Sequence, residues 1–174
     1  MTGLLLTDHV TYGAVDGVVT ATTLIASATA AGIGPRKLLA IGLATLVADS
    51  LSMAFASGES VSRDSLRTAL VTALAFVGVG GVPVVVRYLA EPGMPLAVTP
   101  LPSARTAMLA SAAVLFLLGL RVGAVRRAAA AAAGGEAKRR DPAAMVVGGL
   151  RLVGIGAVVT LLSIGISRLV VLVA

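Results

Sequence analysis

Two aspartates lie inside long apolar segments, and they are the residues best placed to do chemistry. Asp16 lies in an apolar run from about 9 to 33, and Asp49 lies in the next run, from about 37 to 55. Each run is long enough to cross a bilayer, which takes roughly 20 residues. A charged carboxylate inside a membrane costs roughly 2.5–3.5 kcal/mol on insertion scales. Neither aspartate has a basic residue nearby in its own run, so we expect the pair to serve an ion or proton pathway.

Polar side chains recur around each aspartate at helical spacing. Thr20 follows Asp16 by four residues, and Thr45 and Met53 lie four residues before and after Asp49. Residues four apart share a helix face, so two polar stripes can meet inside a bundle. Carboxylates suit Mg, Ca and Mn, and a thioether adds affinity for softer transition metals. The alternatives are packing for the methionine and hydrogen bonds to the backbone or a neighbouring helix for the threonines.

The composition predicts an all-α integral membrane protein with a single transmembrane domain over residues 1–174. Hydrophobic residues make up 57% of the chain and charged residues 13%, whereas soluble domains carry about 25% charge. Five transmembrane helices are predicted, over about 10–33, 37–60, 66–89, 104–123 and 144–172. Pro83 should kink or loosen the third span. The proline-rich segment 91–102 should be a loop, and the alanine-rich stretch after the fourth span can extend that helix beyond the membrane.

The basic residues lie between the spans, so the net charge of +6 indicates membrane topology rather than nucleic acid binding. The connector 121–141 is the most basic and should be cytoplasmic. That places the N-terminus in the cytoplasm and the C-terminus outside, and the Ala, Arg, Val and Gly bias suggests a prokaryotic plasma membrane. Glu59 and Asp64 lie at the membrane edge, either as solvated helix ends or as a point where metal enters.

Several function classes are excluded or disfavoured by what the sequence contains. It has no cysteine and one histidine, which excludes thiolate and multi-histidine metal sites within one chain. No nucleophile–base arrangement or phosphate loop is visible, so an enzyme is not expected, and no cofactor is predicted.

At the two polar stripes the sequence resembles the vacuolar iron transporter family. The matching segments are Asp16-Gly-Val-Val-Thr20 and Gly42-Leu-Ala-Thr-Leu-Val-Ala-Asp-Ser-Leu-Ser-Met53, with weaker support from Val82-Pro83 and the glycine-rich segment 148–165. The family's first-span aspartate falls on Asp16, and its second-span methionine falls on Met53. Some members carry a glutamate where this chain has Thr45, and Asp49 is then the candidate to supply that carboxylate.

The resemblance implies a homodimer whose first spans line a central pathway in the lipid bilayer. In this family Fe²⁺, often with Mn²⁺, leaves the cytoplasm in exchange for protons. Founding members insert a glutamate-rich cytoplasmic domain after the second span, where this chain has the connector Glu59–Asp64, so it resembles the compact branch. Two other functions stay open: a non-transporting scaffold or assembly subunit on the same fold, and a passive cation channel.

Overall fold

Five long helices make up the computed structural model, which describes residues 2–57, 63–91, 103–132 and 142–173. The helices are α1 (Thr2–Ala30), α2 (Pro35–Ser57), α3 (Arg63–Leu89), α4 (Ser103–Ala132) and α5 (Pro142–Val173). Each holds a segment long and apolar enough to cross a membrane: His9–Ala30, Pro35–Ala54, Leu66–Leu89, Ala104–Val125 and Met145–Val173. The predicted all-α class and the five spans are confirmed. The helix α4 also runs beyond its apolar segment, as the alanine-rich stretch predicted.

The turn between α1 and α2 comes earlier than the predicted end of the first span. Gly32 has a φ of 73°, a left-handed conformation that glycine adopts without a Cβ penalty. The amide of Ile33 donates to the carbonyl of Ala28 at 2.8 Å, and that of Gly32 donates to Thr29 at 3.1 Å. This pair of bonds is a Schellman motif, which closes a helix. The chain then reverses, and α2 begins at Pro35, a favourable first helical position for proline.

Pro83 lies inside α3 without ending the helix, and the kink or loosening that the sequence predicts there stays a prediction. The helix continues to Leu89, and the proline is fully buried. Membrane helices tolerate proline because neighbouring helices and local adjustments satisfy the freed backbone groups. The predicted loop over 91–102 lies outside the described residues except for Glu91, which follows the end of α3.

The helix α1 is the centre of the bundle. It packs most extensively on α3 and also on α5 and α4, whereas α2 packs mainly on α3 and touches α1 little. Val18, Ala21 and Ile25 of α1 are completely buried. The bundle has two ends: the His9 end, where the membrane-spanning part of α1 begins, and the Ala30 end, where α1 finishes.

Glycines bring α1 and α3 into backbone contact. A Cβ added at Gly17 would lie 2.3 Å from the carbonyl oxygen of Phe76, and one added at Gly80 would lie 2.6 Å from the backbone of Gly17. A Cβ at Gly13 would similarly meet the backbone of Thr72. Small residues permit such close approach in lipid, where packing replaces the hydrophobic effect as the force between helices. The order of these contacts shows that α1 and α3 run parallel.

Candidate functional site

Asp16 on α1 and Asp49 on α2 lie near each other in the folded chain. The two side chains are within electrostatic range of each other, and both residues are partly buried. The turn at Gly32 makes α2 run back along α1. Asp16 and Asp49 are almost equally far from this turn in sequence, so they lie at a similar level along the bundle. The structure thus brings together the two aspartates that the sequence singled out, and their binding of a cation stays a prediction.

No basic side chain neutralises this pair within the part of the chain that the structure describes. The ion pair found there joins Arg87 and Glu91 at 2.5 Å, near the Ala30 end of α3. Among the described residues, neither Asp16 nor Asp49 pairs with a lysine or arginine. Two like charges in a medium of low dielectric constant repel strongly. A bound cation or proton is what would relieve that repulsion.

The aspartate pair is not at the middle of the membrane-spanning segment. The span of α1 runs from His9 to Ala30. At 1.5 Å per residue, Asp16 lies about 10 Å along the helix from His9 and about 21 Å from Ala30. An ion would therefore reach the pair by a shorter path from the His9 end.

The face of α1 that carries Asp16 is open at this end. Tyr12 is 65% exposed, His9 is exposed, and Thr20 is partly exposed. These residues recur at spacings of three or four, so they form one strip along the helix. The opposite face of α1 is buried in the bundle. A polar strip on a membrane helix is expensive to leave against lipid.

The predicted residues of α2 line its inward side. Thr45 and Asp49 are partly buried, and Met53 packs against the hydrophobic core. The methionine contact fits the packing alternative, while its spacing keeps it on the same side of α2 as Asp49. Of the two residues predicted at the membrane edge, Glu59 lies outside the described residues. Asp64 lies in the first turn of α3, and only its backbone is described.

Ser27, further along α1 than Asp16, joins two helices of the bundle. Ser27 shares a 2.6 Å hydrogen bond with Ser163 of α5, a contact between distant segments that spacing within one helix does not reveal. The ion pair of Arg87 and Glu91 was also missed. The sequence could have predicted this ion pair, because oppositely charged residues four apart on a helix are neighbours.

A complete metal site is not formed by acidic and histidine side chains of the described chain alone. Within the described ranges, no three His, Cys, Asp or Glu side chains lie together in a way that could hold a metal ion. Ca²⁺ takes six to eight oxygen ligands and Mg²⁺ demands octahedral geometry. Two carboxylates would thus need further ligands from threonine, methionine, backbone carbonyls, water or another copy of the chain.

Comparison with known proteins supports the resemblance seen in the sequence. Residues 7–65 match the model of the VIT family. The matched segment runs from the first helix through the second and into the start of α3, and it contains both aspartates. No curated protein and no solved structure matches the chain. The family match and the five apolar helices support an integral membrane protein that acts in metal ion transport.

Proposed function

We propose that this chain, a member of the vacuolar iron transporter family, moves Fe²⁺ or Mn²⁺ out of the cytoplasm in exchange for protons. The observation that carries the proposal is the pair formed by Asp16 and Asp49. The two side chains are within electrostatic range of each other on consecutive membrane helices, so their charged forms would repel each other. No basic partner accompanies them in the described residues.

Charge balance explains how such a pair can exchange metal for protons. Two carboxylates carry two negative charges, which one divalent cation or two protons neutralise. Either occupant removes the repulsion, whereas the empty pair is costly in a membrane. Metal and protons therefore compete for one site, and an excess of protons on the cytoplasmic side should weaken metal export.

The ligand types fit Fe²⁺ and Mn²⁺. Carboxylate oxygens suit Mn²⁺, and the Met53 thioether adds affinity for softer ions. Thr20 and Thr45 lie one turn from Asp16 and Asp49, where their hydroxyl oxygens can supplement the carboxylates. Glu59 and Asp64 follow α2 along the chain and are the proposed point where metal enters.

A homodimer built around the first helices would complete this site. The open strip of α1 with Tyr12 and Asp16 supports this arrangement, because a second copy would cover polar groups that otherwise face lipid. A two-fold axis makes the same patch of both copies meet, so it would double the number of carboxylates.

The proposed orientation places the N-terminus in the cytoplasm of a prokaryotic cell and the C-terminus outside. Arg67 and Arg121 are exposed at the His9 end, where α3 begins and α4 ends. Lysine and arginine favour the cytoplasmic side. The aspartate pair would then lie closer to the cytoplasm, from which metal is taken.

Metal flux into sealed vesicles tests the proposal. The purified protein is reconstituted into vesicles that hold a metal-sensitive dye, and Fe²⁺ or Mn²⁺ is added outside with the vesicle interior acidic. An exchanger takes up metal and makes the interior more alkaline, and collapsing the proton gradient with an ionophore slows uptake. Empty vesicles provide the background.

The same assay separates the alternatives. Metal flux that is indifferent to the proton gradient would favour the passive channel, which uses the same carboxylates. Absence of flux for both metals would favour the scaffold or assembly subunit.

Single cysteines test the dimer, because the natural chain has none. Tyr12→Cys, on the open strip of α1, should cross-link two copies in lipid. Leu150→Cys is the matched control, since Leu150 is 59% exposed but belongs to α5 rather than to the strip of α1. Equal cross-linking of both variants, or none in either, would contradict a dimer centred on α1.

A further inference from the structure

A second feature of the molecule lies where α4 and α5 pack beside α1. A groove with a volume of about 310 Å³ runs between α4 and α5, and Thr22 of α1 forms part of its lining. Met108 and Leu115 line it from α4, and residues from Val153 to Ile164 line it from α5. The α5 residues cover about 16 Å along the helix at 1.5 Å per residue.

The lining of this groove offers no free hydroxyl donor to a polar ligand. Its three hydroxyl groups each donate to a backbone carbonyl four residues earlier in their own helix: Thr22 to Val18 at 2.6 Å, Ser111 to Ala107 at 2.9 Å and Thr160 to Gly156 at 2.7 Å. The remaining lining side chains are aliphatic or methionine. Leu161, at one edge, is 68% exposed, so the groove opens sideways into the surroundings of the bundle.

Close packing of glycines holds the two walls in place. A Cβ at Gly119 of α4 would lie 2.4 Å from the Cα of Gly149 on α5, and one at Gly123 would lie 3.1 Å from the Cα of Met145. These contacts show that α4 and α5 are antiparallel and touch closely near the His9 end. The groove lies between these contacts and the Ala30 end.

Two exposed arginines flank the groove where it reaches the Ala30 end. Arg105 lies three residues before Met108 on α4, and Arg168 lies four residues after Ile164 on α5. Residues at those spacings share a helix face, so both arginines lie on the groove side of their helices. Both side chains are exposed. The antiparallel arrangement brings the start of α4 and the end of α5 to the same end of the bundle.

We propose that this groove binds an anionic phospholipid. One acyl chain fills the apolar groove, and the headgroup phosphate lies between Arg105 and Arg168 at the Ala30 end. The site is distinct from the aspartate pair and does not depend on the transport reaction.

Charge complementarity favours an anionic lipid as the occupant. The positive-inside rule gives no reason for arginine at the Ala30 end, which is the outer side in the proposed orientation. A phosphate there would give both guanidinium groups a partner with suitable geometry. The sideways opening at Leu161 admits an acyl chain from the bilayer, whereas the lining would not hold a free polar solute.

The test measures lipid selectivity of the reconstituted full chain. Spin-labelled phosphatidylglycerol and phosphatidylcholine are compared for the fraction immobilised on the protein, in phosphatidylcholine vesicles at one lipid-to-protein ratio. The wild type should prefer phosphatidylglycerol. Arg105→Gln and Arg168→Gln should each lower that preference by about fivefold, from the usual effect of one cation at a membrane surface.

Two further variants separate this site from general attraction. Arg36→Gln removes an exposed charge at the same end, in the first turn of α2, and should leave the preference unchanged. Ala112→Leu fills the groove without altering charge and should reduce immobilisation of both lipids. Both residues have exposed or groove-lining side chains, so folding should survive.

Several results would overturn the proposal. One is an equal loss of selectivity in Arg36→Gln, which would indicate diffuse charge attraction. Another is full displacement of the labelled lipid by inorganic phosphate, which would indicate a site for phosphate alone. A third is cross-linking of two copies through Ala112→Cys in lipid, which would show that a second chain covers the groove.

Discussion

The side of α1 that faces α3 and the side that faces α2 differ in how closely they are packed. Toward α3, the helix makes backbone contacts through Gly13 and Gly17, and no space remains for even one added carbon atom. Toward α2, it makes few contacts, and Asp16 and Asp49 stand near each other there. One side is closed by packing, and the other holds two like charges.

This difference indicates how one helix can serve both stability and transport. Helix association in lipid depends on close packing of small residues, and the α3 side supplies it. The α2 side can then tolerate charges that weaken the fold, because it contributes little packing of its own. Substitutions on the two sides should therefore separate into losses of folding and losses of function.

The largest expected effect is on the open side. Asp16→Asn keeps the size of the side chain and removes its charge, so metal flux in the vesicle assay should fall to near background, roughly tenfold or more. A loss of that size corresponds to about 1.4 kcal/mol of ion interaction or more. Tyr12→Phe, one turn away on the same strip, is the control and should retain flux. Wild-type flux in Asp16→Asn with intact folding would remove Asp16 from the pathway.

Substitutions on the side of α1 that faces α3 should lower the stability of the protein and leave metal flux per folded molecule unchanged. Gly17→Ala places a Cβ against the carbonyl of Phe76, which is backbone and cannot move aside cheaply. Overpacking of this kind costs typically 1–3 kcal/mol, so thermal unfolding in detergent should occur at a clearly lower temperature. Gly78→Ala is the matched control, because nothing lies within 4 Å of a Cβ at Gly78. Equal melting temperatures for the two variants would contradict the close contact.

The sequence predicted the spans and the two aspartates better than it predicted the end of α1. The five spans follow from hydropathy, and the two aspartates stand out because charge is costly in lipid. Spacing within α1 and α2 placed each aspartate on a polar stripe. The end of α1 was predicted less well, because the Schellman motif at Gly32 depends on a backbone conformation that several nearby residues could have adopted.

Contacts between helices lay beyond the sequence pattern. Which glycines of α1 meet α3 depends on helix rotation and crossing, which hydropathy does not encode. The bond between Ser27 and Ser163 joins residues far apart in the chain. The groove beside α5 likewise depends on how α1, α4 and α5 pack together. The sequence likewise identifies Asp16 and Asp49 as candidates. Whether their side chains are neighbours depends on helix packing, which the sequence pattern does not reveal.

A smaller effect is expected at the second aspartate, and it tests whether the pair acts as one site. Asp49→Asn should reduce metal flux less than Asp16→Asn does, because Asp16 lies on the open strip of α1, where the proposed dimer would lose two carboxylates that lie close together. The double variant should then be no worse than Asp16→Asn alone, since residues that act as a unit are not additive. Flux is measured in the same vesicles for all three variants. Losses that multiply would instead indicate two separate sites.

The smallest expected effect concerns Met53, which can contribute both to packing and to metal binding. It packs against the core and lies one turn from Asp49, so it can contribute packing, a sulfur ligand, or both. Met53→Leu conserves volume and usually costs under about 1.5 kcal/mol, while it removes the sulfur. If the thioether binds metal, flux of Fe²⁺ should fall by more than flux of Mn²⁺, because sulfur favours softer ions. The control is Met53→Ala, which removes the packing contact as well and should lower the melting temperature. Unchanged flux of both metals in Met53→Leu, together with a destabilised Met53→Ala, would assign Met53 to packing and leave the oxygen ligands to hold the ion.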